Sequence, residues 1–250
     1  HYIFNRKNNK VEALSQNGAQ QAPKFSPDGT MIAFVRDNNL FLVKLLFGNS
    51  ESQITTDGEF RKIINGIPDW VYEEEFATNC SFDFSADSKV IAYIKYDESE
   101  VMMYDMPMYT GGESKEYFDF SKPYSFKYPV AGADNAKVSV HSFDIKSRVT
   151  RQLDVNIPEE GYIPRIKFTK DPNTLAVLTL NRHQSVLEVQ AVNPLSGVSK
   201  TILREESDTY LNEHTYADIE FLDKYFVFQS ERSGYNHLYL YNLAGELVRP

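Results

Sequence analysis

Met31 to Val35 is apolar at every position, flanked by a polar turn before it and a polar hairpin and second apolar stretch after it. The unit reads KFSPDGTMIAFVRDNNLFLVKL from Lys24. It returns as DFSADSKVIAYIKYDESEVMMYDM from Asp83, as KFTKDPNTLAVLTLNRHQSVLEVQAVN from Lys167, and with a shorter turn as EFLDKYFVFQSERSGYNHLYLYN from Glu220. Ser26-Pro27-Asp28-Gly29 has proline second and glycine fourth, as a type I turn prefers. Asp37-Asn38-Asn39 supplies a tight hairpin, and Leu40 to Val43 returns. A strand apolar on both faces must be covered on both sides. With short strands at Pro23 to Phe25 and Gln53 to Thr55, the unit becomes four strands in roughly 35 residues, close to a propeller blade. Blades stack face to face around an axis, which accounts for the doubly apolar strands. A β-sandwich is the alternative, but its strands alternate more cleanly between apolar and polar. The pattern therefore predicts an all-β fold: one domain over residues 1–250, a partial β-propeller of about five four-stranded antiparallel blades.

The copies are unevenly spaced. Tyr2 to Leu14 has room for a hairpin only, and the last blade is expected to be incomplete. The gap from Phe84 to Phe168 predicts an insertion, roughly Pro107 to Asn135, as irregular structure projecting from its blade. Between the outer strand of one blade and the first strand of the next lies NGIPDWVYEEEF, Asn65 to Phe76. Asp69 is placed to cap a short inserted helix near 69–76, with Tyr72 and Glu73 in its first turn, where negative charge suits the helix dipole. Glu73, Glu74 and Glu75 crowd like charges among large aromatics, which costs free energy unless they remain solvated or a cation sits there. Trp70 and Tyr72 read as packing residues that anchor this helix.

Composition narrows the function. At 250 residues and 42% apolar, with 16 tyrosines and 17 phenylalanines, the chain can bury a substantial core. A net charge of -9 argues against a nucleic-acid backbone as partner and is compatible with a cationic ligand such as a peptide amino terminus. The single cysteine, Cys80, excludes an intrachain disulfide and reads as a small buried hydrophobe beside Phe82 and Phe84. No run approaches the roughly 18 apolar residues of a membrane span. The start reads as the middle of a strand pair and the end stops just after a strand, so the expectation is a piece of a longer protein. Unpaired blade faces at such ends, each apolar, predict self-association.

The segment NGIPDWVYEEEF with the following blade SFDFSADSKVIAYIKYDESEV closely resembles the dipeptidyl peptidase IV family of serine peptidases. The similarity continues through YPVAGADNAKVSVHSFDI (Tyr128 to Ile145) and SERSGYNHLYLYN (Ser230 to Asn242). The WVYEEE motif is specific, whereas SPDG-type repeats occur in many propellers. The resemblance implies that the chain is part of an eight-bladed propeller that caps an α/β-hydrolase domain carrying a Ser-Asp-His triad. It implies that Glu74 and Glu75 bind the free amino terminus of peptide substrates, from which X-Pro or X-Ala dipeptides are released. After Glu75 the local match slips by one residue, and the arginine that the family adds to this site falls before His1. Two carboxylates can accept charge-assisted hydrogen bonds from the three N–H donors of an α-ammonium. Anchoring that group fixes how far the peptide reaches toward the catalytic serine. An acylated terminus would leave buried polar groups unpaired, which discriminates by factors on the order of 10⁴. The resemblance further implies a periplasmic, secreted or surface location. It also implies a homodimer that uses an arm at roughly Val138 to Tyr162, and an aromatic wall near the substrate at Tyr210.

The remaining candidates carry less. No G-x-S-x-G nucleophile elbow occurs in the 250 residues, so the chain by itself is expected to have no peptidase activity and no catalytic residue. His1, His141, His183, His214 and His237 sit in strands or turns with no serine motif to serve; His183 and His214 have no partners at metal-ligand spacing and no Cys/His cluster exists, so neither a metal nor a cofactor is expected. His237 reads as structural, at the head of a blade strand. Asp97, Glu98 and Glu100 read as a solvated turn, since a calcium loop needs a denser alternation of oxygen ligands with glycine. The competing class is an interaction scaffold that binds protein through its blade-edge loops. A carbohydrate-active propeller would need paired carboxylates on separate strands.

Overall fold

The computed structural model describes residues 1–109 and 122–250. It opens with a hairpin, β1 (Tyr2–Asn5) on β2 (Lys10–Ala13). A four-stranded antiparallel sheet follows, in the order β3 (Gln21–Phe25), β4 (Met31–Arg36), β5 (Asn39–Lys44), β6 (Ser50–Gln53). The next sheet draws on distant segments. In it β9 (Val90–Asp97) pairs with β7 (Ile63–Asn65), with β8 (Phe82–Phe84) and with β12 (Lys137–Asp144), which in turn carries β13 (Val149–Gln152). Between β9 and β12 the chain forms a separate two-stranded ribbon, β10 (Met103–Met108) on β11 (Lys122–Lys127). Two more four-stranded sheets complete the chain. One is β14 (Tyr162–Phe168), β15 (Leu175–Leu180), β16 (Val186–Val192) and β17 (Ser199–Glu206); the other is β18 (Glu220–Phe221), β19 (Tyr225–Ser230), β20 (His237–Asn242) and β21 (Leu247–Arg249). The helices are α1 (Trp70–Glu74) and α2 (Glu213–Tyr216). This is the predicted all-β partial propeller. No helix among the described residues is long and apolar enough to cross a membrane.

The doubly apolar strands behave as their pattern requires. All six residues of β4 are buried. Ile32 and Phe34 face the opening hairpin and pack with Leu14 and Phe41. Met31, Ala33 and Val35 face the next sheet, against Phe82, Phe84, Ile91 and Tyr93. In β9 the alternate residues Val90, Ala92, Ile94 and Tyr96 face onward, into the core shared with β14 to β19. Each fully buried side chain of this size contributes about 1.5–3 kcal/mol, so every inner strand stabilises two interfaces at once. The turns are built locally. Gly29 N–H donates to Ser26 O at 2.9 Å, and Ser88 N–H to Ser85 O at 2.8 Å in the next copy. Asp37 and Asn38 both have positive φ, 49° and 59°, as the favoured two-residue hairpin turn demands.

Three expectations are corrected. The last blade is not incomplete, because short strands at both its edges, β18 and β21, bring it to four. The described flanks of the Pro107 to Asn135 insertion are not irregular: Met103–Met108 and Lys122–Lys127 pair in register over six residues, while 110–121 lie outside the described residues. Nor do residues 138–162 form an arm. Val138 belongs to β12, which is hydrogen-bonded on both sides, and its residues from Val140 to Phe143 are buried. What stands apart from the blades is the β10–β11 ribbon, which exposes Met103, Tyr104, Met106, Met108 and Tyr124.

Candidate functional site

Asp69 begins α1 as anticipated. Its side chain accepts from Tyr72 N–H at 3.0 Å, with extended backbone at the cap. A helix of five residues is far too short to persist alone, and its aromatic neighbours supply what it lacks. Tyr72 is 2% exposed. Its ring meets Phe76 at 5.2 Å, Tyr96 at 4.8 Å and Tyr162 at 6.1 Å, and its hydroxyl accepts from Ile163 N–H at 3.0 Å. Trp70 packs on the root of the ribbon, stacked on Phe126 at 5.5 Å and edge-on to Tyr128 at 4.7 Å. Both residues are anchors.

With these sides buried, Glu73, Glu74 and Glu75 are all exposed. None has an ion-pair partner among the described residues. Helical geometry of about 100° per residue separates them. Glu73 lines a cavity of about 1110 Å³ between the first complete blade, the segment before α1 and the ribbon. Glu75 lines another of about 500 Å³, with Val71, Phe76, Tyr128, Tyr162 and the β15–β16 hairpin residues Arg182, His183 and Gln184. Glu74 borders neither. Glu73 thus faces the ribbon side, while Glu74 and Glu75 remain exposed away from that cavity.

Tyr210 is 61% exposed and does not line the Glu75 cavity. Its loop is tied to the hairpin that does: Leu211 N–H donates to Gln184 O at 2.6 Å, and Ser207 N–H to Ser185 O at 2.9 Å. The structure thus ties the Tyr210 loop to the hairpin that lines the Glu75 cavity, with Tyr210 itself outside that lining.

The acidic turn after β9 is a further correction. Glu100 is exposed, but Glu98 is buried at 7% exposure and lines the larger cavity with Asp69, Trp70 and Glu73. Burial pushes its carboxyl up to about 7, and the nearby Asp69 adds to this, against Lys127 and Arg61. Burial likewise pushes Asp69 up to about 6, opposed by the backbone N–H groups of Tyr72 and Val71. Two carboxyl groups of raised pKa therefore sit under the start of α1. The sequence signal for Glu98 is weak: it sits between Asp97 and Glu100 in what reads as a polar turn.

Cys80 is half-buried against the core between the first two complete blades. Its Sγ lies 3.5 Å from Phe82 O, and burial raises its pKa. His237 begins β20 with its side chain exposed. Burial pushes His141, stacked on Tyr93 at 5.3 Å, down to about 4. No cluster of His, Cys, Asp or Glu among the described residues is placed to hold a metal ion.

Stacked antiparallel blades, interrupted by an aromatic-anchored helix with three solvent-facing carboxylates, define a partial β-propeller. The family described as the dipeptidyl peptidase IV N-terminal region matches residues 1–250, and the chain belongs to that family. It is 33% identical over 247 residues to a probable dipeptidyl peptidase 4 of Aspergillus fumigatus, covering 93% of this chain and 31% of that one. It is 29% identical over 242 residues to dipeptidyl peptidase 4 of Trichophyton equinum, covering 93% and 30%. The crystal structure of Porphyromonas gingivalis dipeptidyl peptidase 4 superposes with a TM-score of 0.92 at 40% identity, over 99% of this chain and 35% of that one. The chain thus spans about a third of the length of the relatives it matches.

Proposed function

We propose that this chain is the substrate-gating, amino-terminus-recognising propeller of a serine dipeptidyl peptidase, and that Glu74 and Glu75 hold the α-ammonium of the peptide. The observation that carries this reading is the state of α1: its neighbours bury Tyr72 and fix Trp70, yet leave adjacent carboxylates exposed with no protein cation among the described residues. An α-ammonium offers three donors, which two carboxylates can share. The chemistry belongs to a hydrolase domain of the same parent chain, and these 250 residues, which lack a G-x-S-x-G sequence, are inactive by themselves. The same reading takes the parent to be exported, to the periplasm, the medium or the cell surface, where peptides with free termini are met. It also takes the parent to be a homodimer, with the exposed methionines and tyrosines of the ribbon as the contact.

The test is Glu74→Gln and Glu75→Gln in the full-length enzyme, each isosteric and uncharged. Loss of one partner of a buried ammonium pair costs about 2–5 kcal/mol, so kcat/KM for a free-amine dipeptidyl amide is expected to fall by a factor of tens to thousands. Values within about threefold of wild type in both variants refute the clamp.

A further inference from the structure

The α1 segment is moored to one irregularity in the neighbouring blade. In β14, Tyr162 pairs with Leu180 and Arg165 with Leu178, so Ile163 and Pro164 together oppose Thr179. That is a β-bulge, and Pro164 accounts for it, because proline cannot donate to a ladder inside a sheet. A bulge leaves backbone groups without ladder partners, and this one is buried: Ile163 is 0% exposed. An unmet buried N–H or C=O is costly. Here the partners come from the segment that carries the glutamates and from the bulge's own arginine. Tyr72 Oη accepts from Ile163 N–H at 3.0 Å. Thr78 Oγ1 donates to Pro164 O at 3.4 Å, and Arg165 Nη1 donates to the same carbonyl at 2.7 Å. Arg165 Nη1 also donates to Thr78 Oγ1. The segment is closed on itself by Thr78 N–H donating to Tyr72 O at 3.1 Å.

Tyr72 lies two residues before Glu74 and Thr78 three after Glu75, so one bulge grips both ends of the stretch that bears the pair. We propose that the Ile163–Pro164–Arg165 bulge is the element that positions Glu74 and Glu75. In this arrangement Tyr72, Thr78 and Arg165 are positioning residues for amino-terminus recognition. The proposal rests on the reading of Glu74 and Glu75 as the ammonium clamp. Its physical basis is reach. A five-residue helix does not set its own orientation, and hydrogen-bonded sites need their groups held to roughly 0.5 Å. Packing by Tyr72 and Phe76 restrains the helix laterally, whereas the bulge bonds fix its rotation and its distance from the blade.

The full-length enzyme tests this with Tyr72→Phe, Arg165→Met, Arg165→Lys and Thr78→Val. Active sites are counted by a serine-directed phosphonate that lacks an amino group. Tyr72→Phe and Arg165→Met are expected to raise KM for a free-amine dipeptidyl amide about tenfold, while kcat per titrated site stays within about twofold. Arg165→Lys, which restores a donor, is expected to recover most of the loss. If Tyr72→Phe does not accumulate, Arg165→Met and Thr78→Val carry the same comparison. KM unchanged in the variants that fold overturns the proposal, as does a loss seen only in the number of titrated sites. Glu74→Gln and Glu75→Gln run in parallel separate the two ideas. If they abolish activity while the bulge variants do not, the clamp stands and the mooring falls; if they do not, the clamp itself falls.

Discussion

Replacing Glu98 with glutamine is expected to stabilise this protein at pH 8 and to leave it nearly unchanged at pH 4. Glu98 is 7% exposed, and its folded-state pKa is pushed from 4.5 to about 7, first by burial and then by Asp69. A carboxyl whose folded pKa is raised contributes its full stability below its unfolded value, and loses it as pH rises through the folded value. The window is therefore about 4.5 to 7. Each pH unit between those two values corresponds to about 1.4 kcal/mol, so the charge on Glu98 costs the fold about 3 kcal/mol at pH 8. Lys127 and Arg61 attract that charge, and the cost is what remains after their opposition to burial and Asp69. Glutamine has nearly the same shape and stays neutral, so Glu98→Gln removes the cost and its pH dependence together.

The protein carries its own reporter. Trp70 is the single tryptophan, and it lines the same cavity as Glu98. Urea unfolding followed by Trp70 emission at pH 4, 6 and 8 gives the free-energy difference between wild type and variant. The difference is expected to grow from near zero to about 3 kcal/mol in favour of the variant. A difference independent of pH, or a variant less stable at pH 8, refutes the reasoning.

Asp69→Asn keeps a capping oxygen for Tyr72 N–H while removing a buried charge, and should gain stability above pH 6, where Asp69 is ionised. Asp69→Ala removes the cap as well and should lie about 1 kcal/mol below Asp69→Asn in the same urea assay. Gly245→Ala is expected to destabilise by about 2 kcal/mol or more in thermal unfolding, since a Cβ there would meet Ile202 O at 1.9 Å and φ is +95°. That turn belongs to the last blade and Ile202 to the preceding one, so the loss reports on blade-to-blade contact.

The blades were legible because their information is local. Met31 to Val35 has no polar position, and a strand buried on both faces produces that pattern without reference to partners. The cap at Asp69 and the anchoring roles of Trp70 and Tyr72 were legible for the same reason: spacing along one turn decides them. Glu98 was misread because its fate depends on a distant segment. It directly follows β9, in a sequence that otherwise suits a turn, and it is buried in a cavity it shares with Phe126 and Lys127 of the distant ribbon. The ribbon itself gave little signal, since every residue of β10 is exposed and no buried face imprints a period. The bulge at Ile163 and Pro164 announced itself only as a proline inside a strand. Its partners Tyr72 and Thr78 lie about ninety residues earlier.

The acidic triplet shows how burial can sort identical residues. Nothing intrinsic distinguishes Glu73, Glu74 and Glu75. Tyr72 and Phe76 have to face the core between the blades, and with the bulge bonds at Tyr72 and Thr78 the rotation of the helix is set. Glu73 is then turned toward the cavity that already holds Asp69 and Glu98, where a further negative charge is repelled by any ionised neighbour. Glu75 lines a separate cavity and Glu74 borders neither, so the pair is held apart from Asp69 and Glu98. Substituting Glu73 should therefore have little effect on KM where substituting either neighbour has a large one.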